Sequence, residues 1–290
     1  MKIAVAGATG FIGHHAVAHL LASGHEVTAL GRRLSLHAAA GFLPFDLDGP
    51  APDLGGQDVL VHAALSHVPG RYRGGEGEAP EDFLHRNLEG TLRLFEAARD
   101  QGVPRILFLS SRAVYGDYPP GTALHENLPT RPDTLYGEVK VRAEEALACL
   151  AASGLTVASL RATGVYGPPV PGLKHKWARL LDDFAHGRLI LPRAATEVHS
   201  DDLAEAIRIL AVAEPGALSP MVFNVSDFVL DQRDLLAQYA NLAGLETPLP
   251  ARADIHAVSM MRTDRLRRLG WRPSGPSRLR ETLEAFGQAR

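Results

Sequence analysis

Apolar and polar positions follow two patterns along the chain, one typical of strands and one typical of helices. Short apolar runs predict strands at residues 3–6, 26–30, 42–47, 59–64, 105–110, 155–160, 189–191 and 221–225. Apolar residues at helical spacing predict helices at residues 11–21, 81–100, 134–150, 177–186, 200–212, 231–242, 262–269 and 277–286. Strands and helices alternate over the first 160 residues, so the pattern predicts an α/β fold with a doubly wound parallel sheet.

The regular alternation of strands and helices ends after Arg161, where residues 164–172 are rich in Gly and Pro. Residues 200–225 contain a helix and a strand that we expect to return to the sheet. The glycine-rich residues 66–80 are predicted to form a mobile loop.

Composition and charge exclude several classes of protein. The 290 residues are 46% hydrophobic and 22% charged, which is ordinary for a globular protein. No run of apolar residues is long enough to span a membrane. The net charge of −3 gives no positive field for nucleic acid, and a single cysteine excludes an internal disulfide. We expect a soluble cytoplasmic protein without a leader, and the histidine spacing suggests no metal site.

Three glycines follow the first predicted strand with the spacing G-x-x-G-x-x-G. Gly7, Gly10 and Gly13 stand where that strand turns into the first helix. Glycine allows the close backbone approach that brings a pyrophosphate against the first amides of a helix. An ordinary glycine-rich turn is the alternative, but the position between strand and helix favours a dinucleotide site. With Phe11 and Ile12, these residues are expected to bind the cofactor.

The end of the second predicted strand indicates which dinucleotide binds. NAD enzymes commonly have an Asp or Glu about 20 residues beyond the glycines, where it binds the ribose 2′-hydroxyl. Here that position is Arg33, preceded by Arg32, and no acidic residue is nearby. Because guanidinium groups bind phosphate through paired hydrogen bonds, the pair favours NADP over NAD. A solvated basic loop is the alternative interpretation.

Three residues are candidates for catalysis. Tyr136 and Lys140 are four residues apart on a predicted helix, so their side chains share one face. A nearby ammonium group lowers the pKa of a tyrosine, which can then exchange a proton as hydride moves. Ser111 follows a predicted strand, at the sheet edge where doubly wound proteins bind ligands. Its hydroxyl would bind a substrate oxygen; a turn serine is the alternative.

In these motifs the chain resembles the extended short-chain dehydrogenase/reductases, specifically the NAD(P)-dependent epimerase/dehydratase group that acts on nucleotide-sugars. The resemblance covers nearly the whole sequence and rests on motifs that occur in the family's order. They are GATGFIG at 7–13, VHAA at 61–64, NLEGT at 87–91, SRAVYG at 111–116, YGEVK at 136–140, LRATGVYGP at 160–168, VHSDD at 198–202, FNV at 223–225 and LGWRP at 269–273.

The resemblance implies roles for particular residues. Ser111, Tyr136 and Lys140 would form the catalytic triad, with Lys140 also binding the nicotinamide ribose. The other implied positions are Asp46 and Leu47 beside the adenine, Ala63 and Ala64 on the path to the nicotinamide, and Asn87 and Arg112 at the substrate. The resemblance further implies a dinucleotide-binding domain at 1–165 with 200–226, and a substrate-binding region at 166–199 and 227–290. It also implies a homodimer that packs helices 81–100 and 134–150 in a four-helix bundle.

The sequence departs from the family pattern in the region that holds the substrate. An arginine of the family's diphosphate clamp is replaced by Thr196, although Arg193 is close, and Arg252 matches the second clamp residue. The segment 167–198 is short for a nucleotide-sugar enzyme. Arg112, not an Asp-Glu pair, follows Ser111, so dehydration is not expected. Lys174 and Lys176 flank His175 and form either an anion-binding patch or, as we favour, a solvated face.

Three functions remain open from the sequence. The favoured one is an NADP-dependent oxidoreductase or epimerase acting on a sugar carbon of a nucleotide-sugar. The second is an NADPH-dependent reductase of a smaller carbonyl compound without a diphosphate. The third is a dinucleotide-binding regulator without turnover, which the presence of Ser111, Tyr136 and Lys140 disfavours.

Overall fold

The computed structural model describes residues 1–67 and 79–288. Most of the loop predicted at 66–80 lies outside the described residues. The strands are β1 Lys2–Ala6, β2 Glu26–Gly31, β3 Gly41–Pro44, β4 Val59–His62, β5 Arg105–Ser111, β6 Thr156–Ala162, β7 Gly164–Tyr166, β8 Ala194–His199, β9 Val222–Val225 and β10 Phe228–Asp231. The α-helices are α1 Phe11–Ala22, α2 Pro80–Leu84, α3 Gly90–Asp100, α4 Leu135–Ala152, α5 Ala178–Ala185, α6 Ser200–Val212, α7 Gln232–Ala243, α8 Asp264–Arg268 and α9 Arg278–Gln288.

Seven parallel strands form the main sheet of the described chain, in the order β3-β2-β1-β4-β5-β6-β9. Helices α1 and α6 pack on one face through Ala16, Leu20 and Ile207. Helices α3 and α4 pack on the other through Leu94 and Leu147. Both faces of the central strands are therefore buried, as their continuous apolar sequences require. The predicted doubly wound α/β fold is confirmed.

A second sheet of three strands, in the order β10-β8-β7, lies beyond the carboxyl end of β6. It packs with helices α5, α7 and α9 around Tyr166, Trp177 and Leu235. The predicted strand at 189–191 is wrong, since these residues are not extended into a sheet and the strand begins at Ala194. Strands β7 and β10 were not predicted.

Two further elements refine the sequence predictions. The predicted helix at 81–100 consists of α2, one π-helical turn at His85–Glu89, and α3. Strand β9 returns to the edge of the main sheet beside β6, as expected for residues 200–226. The division of the chain into two domains stays a prediction.

Within the two described ranges, the helices are too short or too polar to cross a lipid bilayer.

Candidate active site

The glycine turn between β1 and α1 is packed so closely that side chains are excluded. A Cβ on Gly7 would lie 2.6 Å from the backbone nitrogen of Ala64, and Gly7 has a positive φ of 82°. A Cβ on Gly13 would lie 2.1 Å from the carbonyl oxygen of Gly7. The turn at Gly7 therefore packs between the start of α1 and the residues that follow β4, the segment predicted to lead to the nicotinamide.

Gly10 is less crowded than these two glycines. It is exposed and is the N-cap of α1, without a side-chain cap. Within the described part of the chain, its Cβ would meet a single neighbour, the carbonyl oxygen of Gly7 at 3.3 Å. The first turn of α1, which begins with Phe11 and Ile12, contains no acidic side chain. Its amide groups and the helix dipole thus offer an accessible anion site, and the turn fits the diphosphate of a dinucleotide.

The residues predicted at the adenosine end follow β2 and β3. Arg32 and Arg33 are exposed beyond the end of β2. The Nε of Arg32 lies 3.8 Å from Oδ2 of Asp46, whose side chain is half exposed. Leu47 is buried, and its carbonyl oxygen accepts a hydrogen bond from Arg93 on α3. Exposed guanidinium groups at this edge are available to a phosphate.

Ser111 ends β5, and its hydroxyl caps the 3-10 turn Arg112–Tyr115. The hydroxyl oxygen accepts a hydrogen bond of 3.1 Å from the backbone nitrogen of Ala113. That turn packs against the start of α4, since a Cβ on Gly137 would lie 2.6 Å from the carbonyl oxygen of Ala113. Ser111 and the first turn of α4, which carries the half-buried Tyr136, are thereby brought to the same edge of the sheet.

Lys140 lies one turn after Tyr136 and is buried against the sheet. Its Nζ donates a hydrogen bond of 2.7 Å to the carbonyl oxygen of Leu109 and lies 5.8 Å from the centre of the Tyr136 ring. Burial lowers the pKa of Lys140 to about 7, and the negative charge of Glu144 acts in the opposite direction. The structure therefore brings Ser111, Tyr136 and Lys140 together, with the ammonium group close to the tyrosine ring.

A buried polar network lies behind these residues, and the sequence analysis did not identify it. The guanidinium of Arg161 on β6 donates to both carboxylate oxygens of Glu144, and Ser110 also donates to Glu144. The guanidinium carbon of Arg161 lies 4.9 Å from the ring centre of Tyr115. Glu144 is four residues after Lys140, so helical spacing was the signal that could have indicated it.

Asn87, predicted at the substrate, is hydrogen-bonded to the backbone of two described residues. Its Oδ1 accepts from the nitrogen of Ser66, and its Nδ2 donates to the carbonyl oxygens of Ser66 and Phe83. The side chain is buried in the π-helical turn. It holds the segment after β4 in place, and both of its N–H donors are occupied.

The three arginines predicted to bind substrate lie in different surroundings. Arg112 donates to the carbonyl oxygen of Ser259. Arg193 is exposed before β8. Arg252 is exposed and bound to Asp234, 2.9 Å away. Among the described residues, no contact joins Arg193 and Arg252. A clamp formed by the pair therefore stays a prediction.

The order of the glycine turn, the strand ending in Ser111 and the helix of Tyr136 and Lys140 agrees with one known family. Residues 3–226 match the profile of the NAD dependent epimerase/dehydratase family. The chain belongs to this family. The matched region contains the glycine turn, the main sheet except for the first residue of β1, and the three candidate catalytic residues. The resemblance stated from the motifs is therefore confirmed.

Several UDP-glucose 4-epimerases are similar in sequence. That of Corynebacterium glutamicum is 33% identical over 179 residues, which are 58% of this chain and 53% of the relative. That of Mus musculus is 28% identical over 233 residues, which are 70% of this chain and 66% of the relative. The chain spans about half the length of most of the curated relatives it matches.

Solved structures of the family are similar over the whole chain. The UDP-glucose 4-epimerase of Thermus thermophilus, in complex with NAD, has a TM-score of 0.79 at 26% identity and covers 100% of both chains. MoeE5, in complex with UDP-glucose and NAD, has a TM-score of 0.81 at 25% identity and covers 100% of this chain and 99% of its own. Both relatives bind NAD, the cofactor class that the glycine turn of this chain fits.

Proposed function

We propose that the protein is an NADP(H)-dependent oxidoreductase or epimerase that transfers hydride at a sugar carbon of a nucleotide-sugar. One observation carries this proposal: Tyr136 and Lys140 lie at the start of α4, packed against the end of β5 that carries Ser111. Family membership and the nucleotide-sugar bound to MoeE5 support the substrate class.

The dinucleotide supplies or accepts the hydride when it is bound. Gly7, Gly10 and Gly13, with the first amides of α1 at Phe11 and Ile12, would hold its diphosphate. The other contacts that we propose come from Arg32 and Arg33 at the 2′-phosphate, Asp46 and Leu47 at the adenine, and Ala63 and Ala64 beside the nicotinamide. The exposed arginines support NADP over NAD, because the segment between β2 and β3 has no acidic residue to bind a free 2′-hydroxyl.

The three catalytic residues have separate tasks in this proposal. The hydroxyl of Tyr136 donates a proton to the substrate oxygen or accepts one from it as hydride moves. The ammonium of Lys140 favours the phenolate form of Tyr136. The hydroxyl of Ser111 binds the same substrate oxygen and stabilises its developing charge. Arg112 follows Ser111 and supplies no carboxyl group for a dehydration step.

Reduction of a smaller carbonyl compound is the second candidate function. It is favoured by the contacts of Arg252, because Asp234 and Asp231 lie 2.9 and 3.8 Å from its guanidinium and compete with a diphosphate. A homodimer built from the helices around α3 and α4 is proposed for either function, on the family resemblance.

The mechanism is tested by Tyr136→Phe, with Tyr118→Phe as the control. The Tyr118 hydroxyl donates a hydrogen bond to the carbonyl oxygen of Pro129 at the surface. A thermal-shift screen in saturating NADP⁺ against UDP-, dTDP-, GDP- and CDP-glucose first selects the substrate class, since ligands of the folded state raise its stability. We expect Tyr136→Phe to lower turnover by at least about 100-fold with unchanged NADPH affinity. Unchanged turnover in Tyr136→Phe would exclude the mechanism.

No shift with any nucleotide-sugar, together with reduction of small carbonyl compounds, would support the second candidate function. NADPH binding without turnover of any of these compounds would instead support a non-catalytic regulator.

A further inference from the structure

An ion pair lies in the small sheet, next to strand β7, which follows the carboxyl end of β6. Nζ of Lys176, in the loop before α5, donates to Oε2 of Glu197 on β8. Glu197 is opposite Gly164 in the register of β7 and β8. Gly164 comes two residues after Ala162, the partner of Ser111 in β6. Because two residues span at most roughly 7 Å and paired strands are roughly 5 Å apart, the Cα atoms of Gly164 and Ser111 are within roughly 12 Å of each other.

The ion pair fills the space that a side chain at position 164 would take. A Cβ on Gly164 would lie 2.9 Å from Oε2 of Glu197 and 3.0 Å from Nζ of Lys176. A larger residue would therefore displace one of the two charged groups. The ammonium group of Lys176 therefore lies where a side chain at position 164 of β7 would otherwise be.

The two members of the pair are not equally accessible. The Glu197 side chain is 8% exposed and lies in the centre of the small sheet, whereas that of Lys176 is 23% exposed. Burial raises the pKa of Glu197, and the positive charge of Lys176 opposes that effect. An ammonium group has three donors, and the hydrogen bond to Glu197 uses one of them. Glu197 thus orients an ammonium that solvent can still reach.

Lys176 differs in this respect from its neighbours in the sequence. Lys174 is exposed. His175 is buried: its Nε2 lies 3.1 Å from the carbonyl oxygen of Gly167, and its Nδ1 accepts from the backbone nitrogen of Trp177. Burial lowers the pKa of His175 to about 4, so it is neutral at pH 7. The three residues do not form one charged patch, and Lys176 supplies the cation beside the site.

We propose that Lys176, oriented by Glu197, binds an anionic oxygen of the substrate, carried by the phosphate joined to the sugar or by a carboxylate on the sugar. A phosphate on C1 lies across the sugar ring from C4, and the short distance between Gly164 and Ser111 allows one substrate to reach both Lys176 and Ser111. The inference rests on the proposed function and adds a specificity-determining residue to it. Arg252 is already bound to Asp234, so Lys176 would supply a positive charge for the substrate in its stead.

The experiment compares Lys176→Met/Glu197→Gln with the wild-type protein and with the control Lys174→Met. The double variant removes both charges and leaves no unpaired buried carboxylate, so folding is preserved. Its thermal midpoint and NADP⁺ affinity are measured first. Dissociation constants for UDP-glucose, UDP-glucuronic acid and uridine are then measured by calorimetry in saturating NADP⁺.

If Lys176 binds the phosphate, the double variant weakens UDP-glucose and UDP-glucuronic acid by at least about 10-fold and leaves uridine unchanged. If it binds a sugar carboxylate, UDP-glucuronic acid alone is weakened. In either case Lys174→Met binds like wild type, and Lys176→Arg, which keeps the charge, retains most of the affinity.

Two results would overturn the inference, and they differ in what they say about the proposed function. Wild-type protein that binds a UDP-sugar, with equal affinity in the double variant, excludes a role for Lys176 but leaves the proposed function intact. Wild-type protein that binds neither UDP-sugar nor the dTDP-, GDP- and CDP-glucose of the screen excludes both.

Discussion

Lys140 donates a hydrogen bond from Nζ to the carbonyl oxygen of Leu109, 2.7 Å away, and so ties α4 to β5 two residues before Ser111. The contact explains why the helix with Tyr136 has a defined position relative to the strand end. It also buries the ammonium group, and this burial lowers the pKa of Lys140 from 10.5 to about 7.

The lowered pKa of Lys140 predicts a pH-dependent stability. Between about pH 7 and pH 10.5 the unfolded chain keeps the proton on Lys140 and the folded chain loses it. The unfolded state therefore binds more protons, and the free energy of unfolding gains from this group as pH rises, by up to about 1.4 kcal/mol per pH unit. We expect the gain between pH 7 and pH 9 in urea unfolding to be larger for wild type than for Lys140→Met. Parallel pH profiles would contradict the buried ammonium, and Lys174→Met serves as the control.

Gly7 and Gly24 separate two effects of replacing a glycine by alanine. Both have a positive φ, but a Cβ on Gly7 would meet Ala64 at 2.6 Å, whereas one on Gly24 would meet nothing within 4 Å. Gly24→Ala should cost about 1 kcal/mol in free energy of unfolding from backbone conformation alone. Gly7→Ala should cost several-fold more and abolish dinucleotide binding, because β1 and the segment after β4 must separate. Urea unfolding and NADPH fluorescence measure both, and equal losses would argue against the close approach.

Glu144 and Glu145 are adjacent on α4 but have opposite surroundings. Glu144 is buried with Arg161 and Ser110, while Glu145 is exposed. Glu144→Gln leaves the Arg161 charge buried without its partner, so we expect a loss of about 3–5 kcal/mol in free energy of unfolding. Glu145→Gln should change it by less than about 0.5 kcal/mol. Chemical denaturation distinguishes the two, and a small effect at Glu144 would mean that the network is not formed.

The prediction that NADP is preferred over NAD rests on Arg32 and Arg33. Because both are exposed beside the end of β2, their replacement should not disturb the core. We expect Arg32→Ala/Arg33→Ala to weaken NADPH by at least about 10-fold and NADH by less than about twofold, since only NADPH carries the 2′-phosphate. Arg280→Ala, an exposed substitution on α9, is the control. Equal weakening of both cofactors, measured by fluorescence titration, would contradict the preference for NADP.

The candidate site was predictable where its determinants are local in sequence. The glycine turn, the spacing of Tyr136 and Lys140, and the strand end at Ser111 each follow from a few neighbouring residues. The partners of Glu144 and Lys176 were not predictable, because Arg161 and Glu197 approach them only after β6 and β8 have taken their places. Asn87 was identified as a site residue, but its bonds to Ser66 depend on the π-helical turn and on the position of β4.

The same distinction separates the parts of the fold. Continuous apolar runs and helical periodicity suffice to predict the main sheet and its covering helices, because burial on both faces leaves a signal in each central strand. The small sheet lacks that signal. Leu189 and Leu191 form an apolar run but are 90% and 73% exposed, whereas the actual strand β8 carries Thr196 and Glu197 into the interior. Polar side chains can be buried there only because Thr163 and Lys176 bind them, and those partners are supplied by the tertiary structure.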